Sequence, residues 1–135
     1  MKKRRVLFVC VGNSCRSQMA EGFARTYGSD VIEAESAGLA PAPLVAPITQ
    51  QVMAEKNIDL GEHFPKGLDE VNLASYDLIV NISGFPFPVP TRAPVREWSV
   101  PDPIGGRKNV HERAAQQVEN LVMQLILNIR RGAEL

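Results

Sequence analysis

Val6-Leu7-Phe8-Val9-Cys10-Val11-Gly12-Asn13-Ser14-Cys15-Arg16-Ser17 begins as an apolar run and breaks at a cysteine into small and polar residues. Four consecutive apolar residues suit a strand buried on both faces, which points to a parallel sheet. The loop from Val11 to Cys15 must then turn tightly into a helix beginning near Arg16. Gly12 and Asn13 are residue types that accept unusual backbone dihedrals, so the loop is expected to fold its N–H groups inward around one point. The helix N-terminus behind it adds positive potential, and a tetrahedral oxyanion fits such a nest.

Cys10, at the end of the strand, gives the nest a nucleophile. A thiol beside an arginine and a helix N-terminus is in the setting that favours the thiolate. Arg16 offers a planar fork of donors that can hold two oxygens and stabilise charge in the transition state. Ser17 is placed to donate its hydroxyl to the sulfur. A cysteine closing a buried strand, taken alone, reads as a small core hydrophobe. That reading leaves the arginine six positions on, the serine after it and the loop between them unexplained. A zinc site on Cys10, Cys15, His63 and His111 lacks a second closely spaced ligand pair. A Walker-type loop would end in Gly-Lys-Ser/Thr, which this loop does not.

At 135 residues and 44% hydrophobic, residues 1–135 are expected to form one domain with a modest core. The formal net charge is zero, so no overall field draws nucleic acid or an anionic membrane, and neither is expected as a partner. Lys2-Lys3-Arg4-Arg5 reads as a solvated terminus, because the apolar run behind it is too short for a secretory signal. No stretch reaches membrane-spanning length. Two cysteines five positions apart make no disulfide framework, so a reducing cytoplasm is the expected home.

Strand and helix signals alternate along the chain. Met19, Ala20, Phe23, Ala24 and Tyr27 recur at helical spacing, with Gly28 where a C-terminal cap belongs. Val31 to Ala37 carries glutamates at 33 and 35, which predicts a strand at the sheet edge. Pro47 opens a second helix running through Lys56, with Val52 and Met53 inward and Asn57 as its stop. A short helix is predicted over 67–75, a buried strand over 78–82 and a weaker strand within 94–100. Asn109 with Glu112 reads as a capping box for a last helix. Its apolar face is Val110, Ala114, Val118, Leu121, Val122, Leu125, Ile126 and Ile129. The alternation predicts an α/β fold with parallel strands, helices on both faces and binding at the carboxyl ends of the strands, where Cys10 sits.

Cys10-Val-Gly-Asn-Ser-Cys-Arg16-Ser17-Gln-Met-Ala-Glu-Gly22 resembles the signature of the low-molecular-weight phosphatase superfamily, which holds small protein-tyrosine phosphatases and a class of arsenate reductases. Glu35-Ser36-Ala37-Gly38, Tyr76-Asp77-Leu78-Ile79-Val80 and Trp98-Ser99-Val100-Pro101-Asp102-Pro103 are similar to later segments of the family, so nearly the whole chain is covered. The resemblance implies a single three-layer domain with a four-stranded parallel sheet and a phosphate-binding loop after the first strand. It makes Asp102, otherwise an ordinary turn residue, the general acid, with Pro101 and Pro103 restricting its backbone. It pairs Asn13 with Ser36 behind the loop and gives His63 a supporting place there. The region at His63-Phe64-Pro65 does not supply the carboxylate of the family's potassium site, so no metal is expected. His111, in the first turn of the last helix, is expected to be exposed.

Gln18, where the phosphatases commonly carry proline, and Ile104-Gly105-Gly106, where they often carry aromatic residues, resemble the arsenate reductase branch. Phe85 and Phe87 are the alternative source of an aromatic wall. Thioredoxin-coupled reductases carry a further cysteine pair after the third strand, and Asn81 to Pro90 has none. Electrons are therefore expected from a low-molecular-weight thiol, glutathione or mycothiol, with exchange through a glutaredoxin-like partner. Cys15 is the alternative resolving thiol. The competing function is hydrolysis of phosphomonoesters, with a phosphoprotein as substrate, through a cysteinyl-phosphate.

Overall fold

The computed structural model describes residues 2–135. The first strand, β1 (Arg4–Cys10), lies inside the sheet, with β2 (Ile32–Gly38) on one side and β3 (Leu78–Asn81) on the other. The order is β2-β1-β3-β4, where β4 (Val95–Glu97) is the far edge, and every pairing is parallel. Val6, Leu7, Phe8 and Val9 are completely buried, as the apolar run requires of a central strand. Alternate residues point to opposite faces. Val6 and Phe8 enter the larger core beneath the helices, and Leu7 and Val9 enter a smaller one.

Three helices share the larger core: α1 (Arg16–Tyr27), α2 (Pro47–Ala54) and α3 (Lys108–Arg130). The opposite face is covered by two 3₁₀ turns, Leu68–Glu70 and Leu73–Ser75, which replace the single helix expected over 67–75. Short turns suffice there because the patch they cover is small: Leu7, Val9, Ala37, Tyr76, Ile79 and Ala93. The layers are thus three but unequal. Phe8 and Phe23, both fully buried, each contribute about 1.5–3 kcal/mol of apolar burial on the helical side.

Local signals set most element ends. Pro47 stands at the start of α2, and the helix stops at Ala54, with Asn57 behind it in the left-handed region at φ 63°. Gly28 closes α1 through its N–H to the Ala24 carbonyl, with φ of −132°, so no left-handed cap is used. Its glycine identity answers packing: a Cβ there would lie 2.7 Å from Ile126 of α3. The capping box predicted at Asn109 and Glu112 is not formed, because α3 begins at Lys108 with Arg107 at the N-cap and no side-chain cap. On its apolar face Val110 and Leu121 are only half-buried, and Ala115 and His111 join the buried set.

Candidate active site

The loop after β1 is turned inside out by hydrogen bonds from its neighbours. The carbonyls of Cys10, Val11, Gly12 and Ser14 accept from the N–H groups of Leu39, Ala40, Ala42 and Ala46, and that of Cys15 from Met19. Asn13, at φ 51°, makes the left-handed turn, and its carbonyl accepts from Gln18 Nε2 at 3.1 Å. With the carbonyls tied outward, the N–H groups of residues 11–16 face the concave side. Among the described residues none of them donates to another protein group. Gly12 does not carry the expected unusual dihedral, and a Cβ there would meet Ala42 only at ordinary contact, 3.5 Å. The glycine that the loop needs is Gly38 of β2, where a Cβ would come within 2.7 Å of the Val11 carbonyl and 2.8 Å of the Asn13 nitrogen.

Cys10 lies at the floor of this concavity, 2% exposed. Ser17 Oγ stands 2.9 Å from its sulfur, and Asn13 Nδ2 donates to the same Oγ at 2.7 Å. Asn13 donates to the Ser17 oxygen, which leaves the hydroxyl hydrogen available for the sulfur. Asn13 Oδ1 accepts from the Lys66 N–H at 3.0 Å, which fixes its side chain. Ser36 does not pair with Asn13 as expected, because its hydroxyl donates to Glu21 Oε1 at 2.5 Å. The missing link is Gln18. Its amide nitrogen reaches the Asn13 and Phe64 carbonyls, and its oxygen accepts from His63 Nδ1 at 2.8 Å.

His63 therefore supports the loop through Gln18, with Glu21 Oε2 3.8 Å from its Nδ1. Burial pushes the imidazole below its ordinary pKa, against the pull of Glu21. Arg25 closes the group with a 2.9 Å ion pair to Glu21. The structural parts of Gln18 and Glu21 were not legible from the motif, although 18, 21 and 25 share one helical face and that spacing was the available signal.

Arg16 ties the loop to the other strands. Its Nη1 donates to the carbonyls of Ile82 at 2.7 Å and Val100 at 3.0 Å. Its Nη2 lies 3.3 Å from Asp102 Oδ2. Its Nε is buried and has no hydrogen-bond partner among the described residues. A buried guanidinium N–H without an acceptor is costly, and an anion oxygen beside it removes that cost. Asp102, whose side chain is 39% exposed, is held over the loop by Arg16, and its Oδ1 accepts from the Ile104 N–H at 3.1 Å. The cavity between them measures ≈ 150 Å³ and is lined by Cys10, Arg16, Ala42, Asp102 and Ile104 with the loop backbone. Of the residues expected to bind oxyanion, Val11, Gly12, Ser14, Cys15 and Arg16 line it, whereas the Asn13 side chain is turned to Ser17 and the Lys66 N–H.

The two phenylalanines separate. Phe85 is 60% exposed and lines a groove beyond Asp102 with Trp98, whereas Phe87 packs against the smaller core. Cys15 is buried, and burial pushes its thiol up to about 11. His111, expected on the surface, is 2% exposed and binds Thr49 Oγ1 through Nδ1 at 2.8 Å. It lies three, four and seven positions before Ala114, Ala115 and Val118, and so shares their buried face of α3. The histidines of the rejected zinc reading are thus engaged with Gln18 and Thr49.

Residues 5–84, more than half the chain, match the family described as low molecular weight phosphotyrosine protein phosphatase. A protein of Synechocystis sp. named glutaredoxin arsenate reductase is 35% identical over 93% of this chain and 98% of its own length. An arsenate reductase of Halalkalibacterium halodurans is 36% identical over 85% of each. Among solved structures, an arsenate reductase in the phosphate-binding state superposes with a TM-score of 0.84 at 34% identity, covering 93% of this chain and 98% of that one. A low-molecular-weight protein tyrosine phosphatase from T. tengcongensis gives 0.80 at 28% identity, covering 93% and 99%. With the fold, the inward-facing loop and this similarity in agreement, the chain belongs to the low-molecular-weight phosphotyrosine protein phosphatase family.

Proposed function

We propose that the protein is an arsenate reductase in which Cys10 is the nucleophile and an external small thiol supplies the electrons. The observation that carries an oxyanion substrate is the unpartnered, buried Nε of Arg16, set beside six inward N–H groups and the Cys10 sulfur. Arsenate is favoured over a phosphomonoester by the wall of the cavity, where Ile104 stands and no aromatic residue is among the lining, Phe85 and Trp98 lying in the adjoining groove beyond Asp102. The relatives named arsenate reductase at 35–36% identity support the same choice.

In the first step the Cys10 sulfur attacks arsenic, and an As–O bond breaks. Asp102 protonates the departing oxygen, so that water leaves. Arg16 and the loop N–H groups, Val11 to Arg16, hold the remaining oxygens as charge redistributes. A thiolate from outside then attacks the Cys10 sulfur. A disulfide bond forms, the S–As bond breaks with its electron pair going to arsenic, and arsenite departs. A second thiol exchanges with the mixed disulfide and restores Cys10. The sum is one arsenate and two thiols converted to arsenite, a disulfide and water. The chain has two cysteines, Cys10 and Cys15, and Asn81 to Pro90 contains neither, which is why the donor is placed outside. Glutathione or mycothiol, with a glutaredoxin-like exchange partner, matches that need, and a reducing cytoplasm suits it.

The test offers arsenate with glutathione and glutaredoxin, with mycothiol, or with the thioredoxin system, beside an aryl phosphate. Arsenite formed with the small thiols is the expected result. Rapid aryl phosphate hydrolysis with no arsenite from any donor overturns the reading in favour of a phosphatase acting through a cysteinyl-phosphate.

A further inference from the structure

We propose that the groove beyond Asp102 seats the small thiol that supplies the electrons, and that it selects an uncharged, hydroxyl-rich thiol with a sugar-like body over one that carries carboxylates. This inference rests on the external-thiol reading above. The groove measures ≈ 420 Å³, within the range of about 300–1,000 Å³ of small-molecule sites. Ile82, Gly84, Phe85, Trp98, Ser99 and Pro101 line it, and it shares Val11, Arg16 and Asp102 with the cavity above Cys10. A ligand lying in the groove therefore reaches the Cys10 sulfur across that common border.

Phe85 is the apolar platform of the groove. Its ring is 60% exposed, yet the backbone beneath it is fixed. Asn81 Nδ2 donates to the Phe85 carbonyl at 2.8 Å, and the Phe85 N–H donates to Ser83 Oγ at 3.1 Å. Asn81 and Ser83 are themselves buried, and Gly84 turns the chain between Ser83 and Phe85 at φ 83°. A ring held out on a rigid turn offers a stacking face that needs little further ordering. The apolar face of a sugar ring fits against it, and the sugar's hydroxyls need acceptors. The exposed Ser99 and Asp102 supply them.

The charges along the groove decide against a carboxylate. Among the described residues its lining holds one acid, Asp102, and one base, Arg16. Arg16 Nη1 is taken by the Ile82 and Val100 carbonyls and Nη2 by Asp102, so neither is free for a ligand there. Asp102 has given up its proton in the first step, so the arriving thiol meets a carboxylate. Glutathione brings two carboxylates of its own and finds no free cation in the lining to take them. Mycothiol, whose cysteine is acetylated and amide-linked to a glucosaminyl-inositol body, brings none. Glutathione therefore serves only at higher concentration. The sulfur chemistry is the same for both: the thiolate attacks the Cys10 sulfur, the S–S bond forms as the S–As bond breaks, and the electron pair goes to arsenic.

Trp98 is the one tryptophan of the chain, so its fluorescence reports on the groove it lines. The experiment titrates the full chain with S-methylmycothiol and with S-methylglutathione, which keep the body of each thiol and cannot react, and repeats both titrations on Phe85→Ala, Phe85→Tyr and Ser99→Lys. S-methylmycothiol is expected to give a saturable change with a Kd about tenfold or more below that of S-methylglutathione. Phe85→Ala is expected to weaken it about tenfold. The same variant raises the KM for mycothiol in arsenate reduction by that factor, with kcat and the KM for arsenate retained, and Phe85→Tyr restores both readings. Ser99→Lys, which sets a cation in the lining, is expected to tighten S-methylglutathione. No saturable change, equal or tighter binding of S-methylglutathione by wild type, or wild-type affinity in Phe85→Ala overturns the proposal. A response to an aryl phosphate or to reduced glutaredoxin, with none to S-methylmycothiol, gives the groove to another occupant and overturns it too. Selective binding of S-methylmycothiol with no arsenite from any donor supports the seat and overturns the reductase reading, whereas arsenite formed with small thiols and no response at Trp98 overturns the seat alone.

Discussion

Arg16 is the side chain on which the site turns, because its two nitrogens at Nη1 and Nη2 are spent on Ile82, Val100 and Asp102 while Nε is left for a ligand. Arg16→Lys keeps the charge but loses the fork. Its kcat/KM for arsenate reduction is expected to fall about 100- to 1,000-fold, the usual loss for one oxyanion donor, and a change under tenfold contradicts the assignment. Asp102→Asn keeps the contact to Ile104 N–H but has no proton to give. Turnover is expected to drop about 100-fold or more, with arsenate binding measured by calorimetry nearly unchanged. Cys10, Arg16, Ser17 and Asp102 were legible as residue types at fixed offsets. The partner of Ser36 was not, because Glu21 lies fifteen positions away and reaches it only after α1 has packed on β2.

At the scale of elements, the hydrophobic period carried the reading and the caps did not. The buried run of β1 and the glutamate-bearing edge strand β2 were recoverable because burial on two faces or one leaves different patterns. Short β4 and the 3₁₀ turns over 68–75 have too few residues for any period to show. The start of α3 was misplaced because Asn109 and Glu112 looked like a cap that tertiary packing left unused, and the burial of His111 was missed because it is a polar residue on the apolar face. Contact between elements supplies the sharpest test here. Gly38→Ala sets a Cβ 2.7 Å from the Val11 carbonyl, and the atoms it meets are the loop's own backbone. Its kcat/KM is expected to collapse, whereas Gly28→Ala, which meets Ile126 of α3, is expected to lower stability by about 1–3 kcal/mol with kcat/KM retained. Urea melts and steady-state rates on the two variants check the split, and equal losses of activity would contradict it.

For the whole molecule, the two histidines make stability depend on pH. Both are pushed below their ordinary value by burial, so below about pH 6.5 the unfolded chain binds protons that the folded one resists. Their contribution is fully present above that pH and is lost as pH falls from there through the lowered folded values. The urea midpoint is expected to be higher at pH 7.5 than at pH 5, and His111→Gln should shrink the difference; an unchanged difference contradicts it. Net charge of zero gives no broad field to direct substrate, so recognition falls to the loop after β1 and to Arg16. That loop, with Cys10 at its floor, carries the central claim that one sulfur passes electrons from an outside thiol to arsenic. The most direct measurement counts thiols oxidised against arsenite released, with arsenate and glutathione, for wild type and Cys10→Ser. Two thiols consumed per arsenite in wild type and neither product in Cys10→Ser is the predicted result; arsenite formed by Cys10→Ser, or none by wild type while an aryl phosphate is hydrolysed, would contradict it.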